Sequence, residues 1–181
     1  MRTPNIGNTY RGGPWAADSG CFNAATYKGD DAYKEWLIDN QEHQDKCLFA
    51  TAPDVMGDHA ATVVRAHEWL PLIRELGYAP AFVLQDGATV DSIPWDELDW
   101  VFIGGTTDFK LSDAAQTITA HAKSLGKKVH MGRVNSRKRF RLAAAWGCDS
   151  VDGTYLAFGP DVNLPKLLSW IEEQETQGAL F

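Results

Sequence analysis

Lys128-Val-His-Met-Gly-Arg-Val-Asn-Ser-Arg-Lys-Arg-Phe-Arg-Leu-Ala-Ala-Ala-Trp-Gly-Cys-Asp-Ser-Val-Asp-Gly-Thr154 decides the fold class, because it holds one complete strand, helix and strand with polar groups at both strand ends. Val129 to Met131 is a short apolar run, and Gly132 breaks it. Asn135 or Ser136 can cap a helix that runs to Trp146, where Gly147 stops it. Asp149 and Asp152 flank the next short strand. In parallel α/β folds the side chains at the carboxyl ends of strands gather at one mouth, which directs Arg133 and Asp152 to the same cavity.

The same grammar recurs outward from this unit. Trp15 to Asp18 reads as a strand, Asp30 to Gln44 as a helix, and Cys47 to Thr51 as a strand closed by Pro53. Asp58 caps a long helix with Val63, Ala66, Leu70, Ile73 and Leu76 at helical spacing; Gly77 stops it and Ala81 to Leu84 forms the next strand. Ile93 to Leu98 is a short helix or turn, and Trp100 to Ile103 a strand ending in Gly104-Gly105. Ser112 caps a helix to Leu125, Gly126 ends it, and a last helix runs from Leu164 to Glu173 or a little beyond. The strands are short and apolar without clear polar alternation, as strands buried on both faces are. Right-handed crossovers leave an open doubly wound sheet or a closed eight-stranded barrel. Six strands fall two short of a barrel, and barrels typically use about 250 residues. A barrel would therefore be compact or incomplete, with residues 1–14 or a partner chain covering the gap. We expect one domain over residues 1–181, with 1–14, which hold Gly7, Gly12, Gly13 and Pro14, as a loop or extension.

Composition narrows the classes further. A 44% hydrophobic content supplies one substantial core. No apolar run approaches the roughly 20 residues of a membrane span, and Met1-Arg-Thr-Pro-Asn5 lacks the apolar segment of a signal peptide, so a cytoplasmic protein is expected. Cys21, Cys47 and Cys148 are scattered without C-x-x-C spacing, which argues against a disulfide framework and a cysteine zinc site. The five histidines do not cluster as metal ligands: His43, His59, His67 and His121 fall on helices, and His130 either faces the cavity or, as the default, is a hydrogen-bonded core residue. Trp15 and Trp95 are candidates for stacking on a base, with packing as the default. The net charge of −7 opposes phosphate binding overall, yet Lys127, Lys128, Arg133, Arg137, Lys138, Arg139 and Arg141 crowd one short segment. That positive face either contacts nucleic acid or is a solvated helix surface.

The chemistry sits at the strand ends, which read Asp18-Ser-Gly, Ala52-Pro-Asp54, Gln85-Asp-Gly, Gly104-Gly-Thr-Thr-Asp108, Met131-Gly-Arg-Val-Asn135 and Val151-Asp-Gly-Thr154. Carboxylates crowded together raise one another's pKa unless they are protonated, paired or bound to a ligand, so a cavity holding several is a functional candidate. Capping of a following helix is the competing role; it holds for Asp30, Asp58 and Asp113 and stays open for Asp54. Gly104-Gly105 either lets a flat ligand or its phosphate approach backbone amides or makes a tight turn.

In this order the motifs resemble the tRNA-guanine transglycosylase superfamily, whose barrel strands end in D-S-G-G-F, an acid motif, V-Q-G-G, I-G-G, M-G-V-G and D-x-x-D. The counterparts here are Asp18-Ser-Gly-Cys-Phe22, Pro53-Asp54, Leu84-Gln-Asp-Gly87, Ile103-Gly-Gly105, Met131-Gly-Arg-Val-Asn135 and Asp149-Ser-Val-Asp152, within residues 15–158. The chain is most similar to the small transglycosylase-like proteins of bacteriophages linked to 7-deazapurine DNA modification, which would place it in the host cytoplasm. The resemblance implies a compact or incomplete TIM-type barrel that exchanges a guanine in nucleic acid for a 7-deazaguanine. Asp152 would be the nucleophile at C1′, forming a covalent aspartyl–sugar intermediate, and Asp18 the general acid/base. Asp54 and Gln85 would read the guanine edge, with Gly104, Gly105, Met131, Gly132 and Arg133 around it. Arg133 would hold a phosphate or neutralise Asp152, and Arg137, Lys138, Arg139 and Arg141 would contact phosphates. Three residues depart from the pattern: Cys21 and Asp86 where glycines are usual, and Arg133 where valine is. The cysteine-rich zinc subdomain is missing, which favours DNA over tRNA. No cofactor or metal is implied, and a homodimer is one way to complete the barrel. The rival readings are a base-releasing N-glycosidase, and a non-catalytic barrel that binds modified bases or serves as an accessory subunit.

Overall fold

Each strand of the sheet turns alternate side chains to opposite faces, and along Trp15–Ala17 and Pro80–Leu84 both faces are buried. The computed structural model describes residues 1–4 and 10–178; Gly7 of the expected N-terminal loop lies outside them. The strands are β1 (Trp15–Ala17), β2 (Cys47–Thr51), β3 (Pro80–Leu84), β4 (Trp100–Ile103), β5 (Lys128–Met131) and β6 (Ser150–Val151). They pair in chain order, all parallel, with one irregularity between β1 and β2. Helices α1 (Asp30–Asp39), α2 (His59–Glu75), α3 (Thr107–Lys110), α4 (Asp113–Ser124), α5 (Arg137–Ala145) and α6 (Pro160–Gly178) intervene or follow. The result is a curled half-barrel, an incomplete α/β barrel. Among the described residues β6 pairs with β5 alone. The other edge is extended by a parallel bridge, with Arg2 N–H donating to Ala16 O and Asp18 N–H to Arg2 O, both at 2.8 Å. Part of residues 1–14 therefore joins the sheet.

The outward set, including Phe82, Leu84, Val101, Ile103, Val129 and Met131, packs with Leu70, Ile73, Ile118 and Ala143 of the helices. Burying each large apolar side chain stabilises the fold by about 1.5–3 kcal/mol. The inward set begins with Ala16, Phe49, Ala81 and Trp100, backed by Phe102. Further along, this face passes Val83 and Phe102 and reaches Asp18, Thr51, Gln85 and Asp152, so one parity supplies both the floor of the barrel and the lining of its mouth.

Helix ends follow local chemistry. Asp58, Ser112 and Ser136 cap α2, α4 and α5 by accepting the N–H three residues on, whereas Asp30 and Asp113, expected as caps, lie inside the first turns of α1 and α4, and the Asp30 carboxylate accepts from Tyr27 and Arg65. The helix expected to reach Gln44 stops at Asp39, because the Asn40 amide donates to Trp36 O at 2.7 Å and accepts from the Arg2 guanidinium at 2.8 Å; a 3₁₀ turn, Gln41–Lys46, carries the chain into β2. The last helix begins at Pro160 rather than Leu164, since a proline in the first helical position gives up no hydrogen bond. The short α3, capped by Thr106, has no counterpart in the sequence reading.

Candidate active site

The inward residues at the carboxyl ends of all six strands meet in one cavity of about 600 Å³, a size suited to a small organic ligand. Asp18, Asp54, Gln85, Gly104, Gly105, Gly132, Arg133 and Asp152 all line it.

Three carboxylates enter this space in different states. The Asp18 Oδ1 accepts the Gly20 N–H at 2.9 Å; burial raises its pKa to about 6, and the charges of Asp54 and Asp152 add to the effect. Asp54 is also raised by burial, against hydrogen bonds from Cys21 and Gln85. Asp152 is held below the usual carboxylate range: burial opposes ionisation, but His130 and the Arg133 N–H outweigh it. Two acids in one cavity with pKa values pushed apart are the arrangement that divides acid/base work from nucleophilic work.

Asp54 is fixed from two sides. The Gln85 Nε2 donates to its Oδ2 at 2.5 Å and the Cys21 thiol to its Oδ1 at 3.1 Å, while the Gln85 Oε1 accepts the Gly57 N–H at 2.9 Å. Gln85 is only 2% exposed. The side chain at Cys21, where the resembling family has glycine, thus holds the acid; burial pushes this thiol up to about 12, so it is no thiolate nucleophile. Gly104 is sterically required, since a Cβ there would lie 2.7 Å from Leu84 O and from Val83 Cγ1 and 3.3 Å from the Gln85 amide.

Asp152 is wrapped by the turn after β5. Its Oδ1 accepts the Arg133 N–H at 2.8 Å and its main-chain O accepts the Val134 N–H at 2.6 Å. To aim that N–H, Arg133 takes φ +60°, alone among the described non-glycine residues, a conformation that costs about 1–2 kcal/mol. A Cβ on Gly132 would meet the Phe102 ring at 2.8 Å. The Asn135 Oδ1 accepts N–H groups of Thr154 and Tyr155 at 2.7 and 3.1 Å, tying the β5 turn to the loop after β6.

His130 meets both of its expected readings: at 3% exposure it is a buried, hydrogen-bonded residue, and its imidazole faces inward toward Asp152. The ring lies between Phe49 and Phe102, with centroids 5.2 and 4.7 Å away. Its Nδ1 is 2.8 Å from Ser150 Oγ and its Nε2 is 3.5 Å from Asp152 Oδ1 with no other partner. Strand parity carried this signal: His130 and Ser150 each stand two residues before an inward strand-end position. Lys110, Phe22 and Phe102 also line the cavity and were missed. Parity assigns Phe102, whereas Lys110 depends on α3.

Several expected site residues stand elsewhere or play another part. Met131 lies outside the cavity wall: it points outward into the core, and only its carbonyl serves the site by accepting the Asp152 N–H at 3.2 Å. The Arg133 guanidinium lies 5.8 Å over the Phe22 ring, and what reaches Asp152 is the Arg133 main chain. Arg137 pairs with Glu173 of α6 at 2.7 Å, and Arg139 donates to Arg133 O at 3.1 Å, leaving Lys138 and Arg141 exposed on α5. The basic cluster divides, since Lys127 bonds Leu98 O and Lys128 pairs with Asp149 at the opposite, amino ends of the strands. Asp149 also pairs with Lys123, so the first acid of the D-x-x-D motif is structural. Trp15 and Trp95 give their indole N–H groups to His43 O and Val90 O in the packed shell. Among the described residues no group of three or more His, Cys, Asp or Glu could hold a metal ion, and no helix is long and apolar enough to cross a membrane.

No protein-family model matches the chain, and no curated protein matches it. Solved structures do. Tryptophan synthase from M. tuberculosis in an open form aligns with TM-score 0.52 and 20% identity, covering 88% of this chain and 58% of that one. A mutant tryptophan synthase alpha-subunit from Pyrococcus furiosus aligns with TM-score 0.52 and 18% identity, covering 79% of this chain and 60% of that one. These neighbours are enzymes, and this chain spans about three fifths of their length. Likeness at such identity extends to the fold: the protein is an incomplete α/β barrel whose side-chain chemistry gathers at the carboxyl ends of its strands.

Proposed function

We propose that the protein is a base-exchange glycosyltransferase of the guanine transglycosylase type, acting on a guanine in nucleic acid, DNA ahead of tRNA. The observation that carries this reading is the pairing of an ionised Asp152 with an Asp18 whose pKa is about 6, across a cavity that also holds the fixed Asp54–Gln85 pair. The target nucleotide leaves the stack to reach such a cavity. Asp152 attacks C1′, a C1′–O bond forms and the C1′–N9 bond breaks. The electron pair passes to the departing guanine, which takes the proton of Asp18. An incoming 7-deazaguanine returns a proton to Asp18, and its nitrogen displaces Asp152 from C1′, so protons and electrons balance over the cycle. Asp54, held in place by Gln85 and Cys21, presents carboxylate oxygens to the N–H groups of the guanine edge. Gly104 and Gly105 offer backbone at the cavity wall, and Phe22 and Phe102 give the flat ring apolar surfaces. Lys138 and Arg141 on α5 are free to meet phosphates.

The test supplies a labelled 7-deazaguanine with guanine-containing duplex, single strand or tRNA. Incorporation of label with stoichiometric release of guanine supports base exchange and identifies the substrate. Guanine release without incorporation would replace it with an N-glycosidase, and binding without release with the non-catalytic barrel.

A further inference from the structure

The walls of the cavity carry opposite charge. The acids and amide Asp18, Asp54 and Gln85 follow β1 to β3, whereas two cations, Lys110 on α3 and Arg133 after β5, face the cavity from the β4–β5 side. Lys110 is 6% exposed, yet its ammonium makes one contact, to Gly132 O at the limiting distance of 3.4 Å. Among the described residues neither cation has a carboxylate partner within ion-pair distance. Asp86, an acid on the same side, spends its oxygens on the Thr106 N–H and hydroxyl at 2.8 and 2.5 Å. Burying an ammonium that keeps two donors unused and faces a second cation is costly unless an anion completes the site.

We propose that Lys110 and Arg133 form an anion subsite that takes the phosphate on the sugar of the reacting nucleotide, so that the cavity holds a phosphorylated nucleoside rather than a base alone. This deepens the reading above and rests on it for the order of the parts: base against Asp54 and Gln85, C1′ at Asp152, phosphate between the two cations. Burial, followed by the Arg133 charge, brings the Lys110 pKa down to about 8 against the more distant pull of Asp152 and Asp86, so the ammonium remains charged at neutral pH. Arginine supplies the planar fork and lysine the compact charge with which phosphates are commonly held.

Calorimetric titration of the whole chain with guanosine, 3′- and 5′-guanosine monophosphate, adenosine monophosphate, inorganic phosphate and a guanine-centred trideoxynucleotide tests the subsite. At least one monophosphate, or the trinucleotide, is expected to bind about tenfold or more tightly than guanosine, an advantage of the size one charge-assisted contact supplies. That advantage should disappear in Lys110→Met and shrink in Arg133→Gln, whose exposed side chain can be removed without disturbing the core. Tighter binding of the monophosphate assigns the anion to a free nucleotide, and of the trinucleotide to a nucleic-acid strand. Equal binding of guanosine and every phosphorylated probe, or an advantage that survives Arg133→Gln and Lys110→Met, overturns the subsite. If adenosine monophosphate shares the phosphate-dependent gain and no probe shows preference for guanine, the subsite stands and the guanine reading falls.

Discussion

Asp18 illustrates what a reactive residue costs its own fold. Its carboxyl titrates near 6 in the folded protein against an ordinary 3.8, so the folded state holds the proton more tightly than the unfolded chain does. Stability on this account is greatest below about pH 4 and falls as pH rises from there through 6, by an amount approaching about 3 kcal/mol if nothing relaxes. Asp18→Asn removes the ionisation while keeping an oxygen for the Gly20 N–H. Thermal melts should therefore show the variant more stable than the parent at pH 7.5 and indistinguishable near pH 4, with base exchange lost. A variant less stable than the parent at pH 7.5 would contradict the buried-acid assignment. His130 poses the complementary question. His130→Phe preserves the packing between Phe49 and Phe102 but removes the nitrogen beside Asp152, whose pKa should then rise. In a single-turnover pH profile, the acid limb of adduct formation, set by Asp152, should move up, while the limb near 6, set by Asp18, stays in place. A uniformly lowered profile with unmoved limbs would assign His130 a purely structural part.

At the scale of the element, period two along parallel strands organises the site. In β4 and β5, Phe102 and His130 stand inward at matched register, and Gly104 and Gly132 follow them inward at the mouth. Much of this was legible: strand positions, caps at Asp58, Ser112 and Ser136, and the glycine punctuation come from local chemistry and were read correctly. Met131 was misplaced because its role came from motif matching, whereas the alternation of β5 sends it outward. Lys110 was invisible because α3 is a single turn whose position depends on Thr106 and Asp86 meeting across two loops. The close approach of Gly132 to Phe102 gives a test at this scale. Gly132→Ala should cost about 1–3 kcal/mol through overpacking, and the cost should shrink in a Phe102→Leu background, where the opposing ring is gone. Additive losses in the double variant would show that the two positions do not press on each other.

At the scale of the whole molecule, a six-stranded half-barrel has, among the described residues, one strand edge open and its chemistry on one rim. Charge that is contiguous in sequence is not contiguous here: Lys127 and Lys128 lie at the amino ends of the strands, whereas Arg133 and α5 lie toward the mouth. Sequence distance could not reveal that division, because β5 carries the chain from one end of the barrel to the other. Nor could it reveal that α6 folds back so that Glu173 occupies Arg137. On the proposed function, Lys138→Ala and Arg141→Ala should each weaken nucleic-acid binding and reduce its salt slope by roughly one unit or less. Arg137→Ala should leave both nearly unchanged. Salt titrations in which Arg137 matters most would place the nucleic acid across α6 instead.

The central claim is that Asp152 carries the sugar during base exchange. Intact-mass analysis of the protein incubated with guanine-containing DNA or tRNA, followed by peptide mapping, tests it directly. The account predicts an adduct on Asp152 that a 7-deazaguanine discharges and that Asp152→Asn abolishes. An adduct that persists in Asp152→Asn, or guanine release with no adduct at any time, would contradict it.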